Sequence, residues 1–250
     1  MWSPRKFKLR FNDNLQWQLM GEKAIEQWFL AYAGIMKLPE SDDNSLPRLL
    51  FCRSTPEGII PDFQDKSGWS SWDMDSMVIW ENRNSRDIIC RITRESCVAE
   101  GYYNMWLGMN PVYRKTLNEG GLPLHAALAE KNGVGALFAA PGGTGKSTTV
   151  NRLPSDWKFL CDDEVLLVPG DSGDIRAHPL PTWSEYLMQR SRQSWDTSYS
   201  VPLGAIFFLK HSPEDSIRNV NEIQAAALLN QSSRQVFEKG WERIDPLKKM

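Results

Sequence analysis

Residues 5–11 (Arg-Lys-Phe-Lys-Leu-Arg-Phe) alternate charged and apolar side chains with period two, the signature of a half-buried strand. Ala24, Ile25, Trp28, Phe29, Tyr32, Ile35 and Met36 instead recur at helical spacing and predict a helix over about 22–37 with one apolar face. A polar loop over 39–47 follows, then short apolar runs at Leu49–Cys52, Met77–Trp80 and Ile88–Ile92 that read as strands. The last two are joined by a hairpin turn through Asn82–Arg86. Residues 104–118 suit a helix, interrupted near Pro111 because proline offers no N–H. The first ~110 residues thus form a strand-rich α+β layer, with the boundary placed at 112 and a second region at 113–250.

Beyond that layer the pattern becomes specific. Val134–Ala139 is a short apolar strand, and Ala140-Pro141-Gly142-Gly143-Thr144-Gly145-Lys146-Ser147 leads into a helix containing Thr148. The octet fits G-x-x-x-x-G-K-[ST], with alanine at the first glycine position. Glycines let the backbone curl so that successive N–H groups converge on phosphate oxygens, and the helix turns its positive end toward the anion. In such a loop Lys146 reaches the β/γ-phosphates and Ser147 offers its hydroxyl to Mg²⁺. ATP and magnesium are therefore the expected ligands.

Lys158–Cys161 is a strand ending on Asp162-Asp163, Glu164–Val168 is another, and Ile175–His178 returns after a turn at 169–174. A strand–turn–strand hairpin at this point implies a mixed sheet, because a doubly wound domain would place a crossover helix there. Ala205–Leu209 reads as a buried strand, and 221–230 and 231–240 as helices.

One of the paired carboxylates can hold magnesium while its neighbour takes the proton of an attacking hydroxyl. The plain alternative is a solvated Asp-Asp-Glu turn. His125 opens the strand Leu124–Ala129 beside the glycine-loop strand, where it could handle a proton or serve structure alone. Arg190 and Arg192, and Lys210 with His211, are weaker candidates for stabilising transferred charge.

Composition narrows the classes. A hydrophobic share of 41% and a charged share of 24% fit a globular protein, and the net charge of −2 without a Lys/Arg run argues against nucleic acid. No apolar run approaches the ~20 residues of a membrane span, and the first residues lack an apolar leader core, so a cytoplasmic protein with no membrane partner is expected. The four cysteines show no metal-ligand spacing. Eleven tryptophans are many; Trp69 and Trp72 sit in a polar stretch where they either line a groove or fill the core.

In order, Leu124-His125, Gly133–Phe138, the glycine loop, a helix and Phe159–Asp163 resemble the catalytic core of HPr kinase/phosphorylase over roughly 115–240. The resemblance implies an α/β P-loop core of the HPr-kinase/phosphoenolpyruvate-carboxykinase type with a mixed sheet. It also implies phosphorylation of a protein serine with ATP and Mg²⁺. On that likeness His125 lies near the reacting phosphates, Asp162 is the base, and Asp163 supports metal or substrate.

Three departures stand out: Ala140 for glycine, Thr148 where glutamate is frequent, and no later Glu-x-Arg-Gly-type signature. The stretch His178–Ser184 and the tryptophan-rich first region look more like the divergent members found in peptide-biosynthesis cassettes, of the SynChlorMet cassette protein ScmC type. The expected function is a kinase for a Ser/Thr hydroxyl of a peptide or small carrier protein, with a homo-oligomer left open. A small-molecule kinase and an inactive ATP-binding scaffold are the alternatives.

Overall fold

The computed structural model describes residues 1–58, 63, 68–188, 190 and 193–242. In chain order the first elements are β1 (Trp2–Arg10), β2 (Gln16–Glu22), α1 (Glu26–Ile35), β3 (Arg48–Cys52), β4 (Trp69–Met74), β5 (Met77–Asn82) and β6 (Ile88–Ile92). Next come α2 (Val98–Leu107), α3 (Asn110–Asn118), β7 (Leu122–Leu124), β8 (Ala126–Lys131), β9 (Val134–Ala139) and α4 (Lys146–Asn151). The chain continues through β10 (Lys158–Cys161), β11 (Val165–Pro169), β12 (Ile175–Pro179), α5 (Trp183–Leu187), β13 (Val201–Phe208) and α6 (Glu222–Glu242). Two compact units result: residues 1–119 with 183–198, and residues 120–182 with 199–250.

The first unit is built on a six-stranded mixed sheet in the order β1-β2-β3-β6-β5-β4, in which β2–β3 and β3–β6 are parallel. Central β3 carries apolar residues on both faces, as a strand covered on both sides must. Leu50 and Cys52 join Phe63, Ile89 and the half-buried Trp69 and Trp80 on one face. On the other, Phe51 meets the rings of Trp28 and Tyr32 from α1 at 5.3 and 5.1 Å. Residues 183–198 belong here because Trp183 stacks on Tyr32 at 5.9 Å and Trp195 N–H donates to the Ile35 carbonyl at 2.7 Å.

Gly21 in β2 lies under Phe29 of α1, where a Cβ would sit 2.4 Å from Phe29 Cγ. We expect Gly21→Ala to destabilise this unit by about 1–3 kcal/mol, the usual cost of overpacking. A lowered urea midpoint with an unchanged slope would show it.

The second unit holds a seven-stranded mixed sheet in the order β10-β8-β9-β13-β12-β11-β7, with only β9–β13 parallel. The hairpin expected after Asp162-Asp163 is present as β11–β12, paired from Val165↔Pro179 to Pro169↔Ile175. Helix α4 packs through Val150 onto Ala127, Ala129, Ala136 and Phe138 of β8 and β9, whose small alanines let the helix approach closely. Helix α6 packs against β7.

Several expectations are corrected. The interruption expected near Pro111 is present, as a break between α2 and α3, but the first helix begins at Val98 rather than 104, and Pro111 lies in the first turn of α3, where no N–H is needed. The two helices expected over 221–240 are the single α6. The strand at 205–209 begins at Val201 and is only half-buried over most of its length.

All four cysteines are free, and only Cys97 is exposed. Burial pushes the Cys52 thiol up to about 12 and raises those of Cys90 and Cys161 above their usual range. We therefore expect a thiol reagent at pH 8 to modify one cysteine rapidly in the native protein and four after denaturation.

Candidate functional site

Strand β9 delivers the chain to Ala140, and the loop turns tightly there, with Thr144 N–H donating to the Pro141 carbonyl at 3.3 Å. Gly143 and Gly145 adopt φ of +82° and +96°, where an L side chain is strained. Ala140 is not among the residues with positive φ, so alanine brings no left-handed backbone strain at the position where the motif prefers glycine. The N–H groups of Gly142, Gly143 and Gly145 donate no backbone hydrogen bond among the described residues. The turn that carries them is exposed at Pro141, Gly142 and Gly143, and Ser147 and Thr148 beyond it are exposed too. Helix α4 has only six residues, so loop amides and the lysine outweigh its dipole as anion donors.

Lys146, the first residue of α4, is 7% exposed, and His125 is 2% exposed. The Lys146 ammonium donates to His125 Nε2 at 2.7 Å and to the Ala140 carbonyl at 3.0 Å. An ammonium only donates, so His125 Nε2 carries the lone pair and Nδ1 the proton. That proton goes to the Asp163 carbonyl, 2.7 Å away, with Asp163 Oδ1 at 3.3 Å. Strand ends fix the histidine as well. His125 lies between β7 and β8, and its backbone exchanges hydrogen bonds with Ser232 of α6 at 3.2 and 3.0 Å.

Asp162 and Asp163 follow β10 and diverge. Asp163 has φ of +91°, a conformation that costs a non-glycine residue about 1–3 kcal/mol and that surrounding bonds must hold. Its N–H donates to Asp162 Oδ1 at 2.9 Å. The Asp162 carboxylate accepts from the Ser147 hydroxyl, and its carbonyl accepts from Thr182 Oγ1 at 2.5 Å. The bend thus sends Asp162 toward the loop helix and Asp163 toward His125.

The structure therefore brings together the loop, Lys146, Ser147, His125, Asp162 and Asp163 within one unit. Thr182 and Ser232 are supporting residues that the sequence alone did not single out; nothing local to either one signals its partner. Arg190 belongs to the 183–198 segment of the first unit, and Arg192 lies outside the described residues. Lys210 and His211 are exposed beyond β13, with no hydrogen bond or ion pair to Lys146, Ser147 or Asp162 among the described residues.

A protein-family model described as SynChlorMet cassette protein ScmC matches residues 88–249, well over half the chain. The chain belongs to the ScmC family. The cassette-type resemblance is thereby borne out, and the matched span runs from β6 through the whole of the second unit's described sheet. No curated protein matches the chain. No helix of the described residues is long and apolar enough to cross a membrane.

Proposed function

We propose that this ScmC-family chain is an ATP-dependent phosphotransferase of the HPr-kinase-like P-loop type, acting on a Ser or Thr hydroxyl of a peptide or small carrier protein. The observation that carries the reading is the buried Lys146 anchored at the end of an exposed glycine loop, with Ser147 paired to Asp162 beside it. Loop amides and Lys146 would bind the β- and γ-phosphates. His125 and Ala140 hold the ammonium in place before substrate arrives, so its charge needs little reorganisation.

Magnesium suits the donor set. The Ser147 hydroxyl would supply one of the one or two protein oxygens that Mg²⁺ takes when phosphates and water complete its shell. Asp163 could contribute its carboxylate from the other side of the bend. When bound, the ion would offset charge on the transferred group. Asp162 is the proposed proton acceptor for the attacking hydroxyl, since it stands beside Ser147 at the mouth of the loop.

Calorimetric titration with ATP tests the first half of the reading. The account expects saturable 1:1 binding that strengthens when Mg²⁺ is added; no binding in either condition would remove the phosphate-cradle assignment.

A further inference from the structure

Sheet edges differ sharply in the second unit. The β7 side is packed against α6, whereas β10 ends the sheet at the other side and, among the described residues, pairs only with β8. A strand with one neighbour directs about half its backbone N–H and C=O groups outward. Among the described residues Lys158, Phe159, Leu160 and Cys161 make no backbone hydrogen bond on that outer side. Phe159 is 42% exposed and pairs in register with Ala129, so it stands on the sheet face that carries α4. Lys158, on the opposite face from Phe159, stays largely exposed, with its ammonium 4.7 Å from the Tyr199 ring and 3.6 Å from Glu130.

What gives this edge a purpose is where it leads. β10 runs directly into Asp162, whose carboxylate meets Ser147 on the α4 side. Water satisfies the exposed backbone groups of β10 in the free protein, and an extended backbone can take its place by pairing along the strand. The geometry points to β10 as the acceptor's docking strand: an extended polypeptide pairs with its free edge at Lys158 and Phe159, ahead of the register shift before Cys161. An apolar side chain of that polypeptide covers Phe159, and its Ser or Thr hydroxyl is brought level with Asp162. This rests on the phosphotransferase reading above and specifies how the polypeptide is recognised: by main-chain pairing and one apolar contact rather than by charge. The transfer itself is balanced. The hydroxyl oxygen bonds the γ-phosphorus, the bond from that phosphorus to the bridging oxygen breaks, ADP leaves, and the hydroxyl proton passes to Asp162.

The test uses the full chain, Mg²⁺, γ-labelled ATP and a synthetic nine-residue peptide mixture with a central serine and no other hydroxyl residue. Labelled peptides should be enriched in β-branched or aromatic residues at alternate positions on one side of the serine. N-methylating single backbone amides of the best-labelled peptide should cut labelling about tenfold at alternate amides and leave the intervening ones unaffected, the worth of one interstrand hydrogen bond. Phe159→Ala should raise the peptide KM while kcat and Mg·ATP affinity stay unchanged. Peptides labelled equally well whichever amide is methylated, with no KM change in Phe159→Ala, would overturn the docking inference and leave the kinase reading standing. Label confined to small hydroxyl metabolites would overturn both the docking strand and the polypeptide acceptor. Binding of Mg·ATP with no label anywhere would sink phosphotransfer itself, and the inference with it.

Discussion

Lys146→Ala is expected to weaken Mg·ATP binding by roughly 10- to 100-fold, the worth of one or two charge-assisted hydrogen bonds to phosphate. The substitution also removes the donor to two buried acceptors, His125 Nε2 and the Ala140 carbonyl. Stability should fall too, by about 1–3 kcal/mol. Circular dichroism on the same sample separates the two effects, and Lys146→Met, which keeps the stem but not the charge, guards against collapse of the pocket. A folded variant with wild-type affinity would contradict the cradle.

The largest effect on turnover is expected at Asp162. Asp162→Asn keeps the size of the side chain and an oxygen for the Ser147 hydroxyl, but gives up proton acceptance. Transfer should drop by roughly 10²–10⁴-fold while Mg·ATP still binds. The amide also weakens one of the two contacts the Asp162 carboxylate makes, to Ser147 or to the Asp163 N–H. Asp163→Asn is therefore the necessary companion. Loss of transfer in Asp163→Asn with near-normal turnover in Asp162→Asn would reverse the roles of the pair. Single-turnover label transfer at saturating ATP distinguishes the two outcomes.

Much of this site is legible from local pattern. The glycine loop, its lysine and serine, and the strand ending on two aspartates are contiguous in sequence, and φ at Gly143 and Gly145 shows why the spelling is glycine there. Local pattern also marks β5, β6 and the β11–β12 hairpin, because each is a short apolar run bounded by turn residues. What escapes is information held in distant partners. β4 reads as Trp-Ser-Ser-Trp-Asp-Met, whose serines and aspartate favour turns; it is a strand because all six residues pair with β5. β2 carries two buried polar residues, Gln18 and Glu22, which blur its period. The divergence of Asp162 and Asp163 follows from a backbone bend at φ +91° that no propensity for aspartate announces. Nor does anything near Trp183 or Trp195 signal that residues 183–198 dock on α1 in the first unit.

The same comparison explains Ala140. A motif is a summary of backbone needs, and here the first position has no such need because its φ is not positive. Its carbonyl, which every residue supplies, is what the loop uses to hold Lys146.

The central claim is transfer rather than binding, and one measurement addresses it directly. The full chain is incubated with γ-labelled ATP, Mg²⁺ and the peptide and carrier products encoded beside it, and label is located by mass spectrometry. The account predicts phosphate on a Ser or Thr of one of those polypeptides, lost with Asp162→Asn and with Lys146→Ala. Saturable Mg·ATP binding with no phosphate on any of them, nor on any hydroxyl compound supplied, would contradict it and leave a nucleotide-binding scaffold.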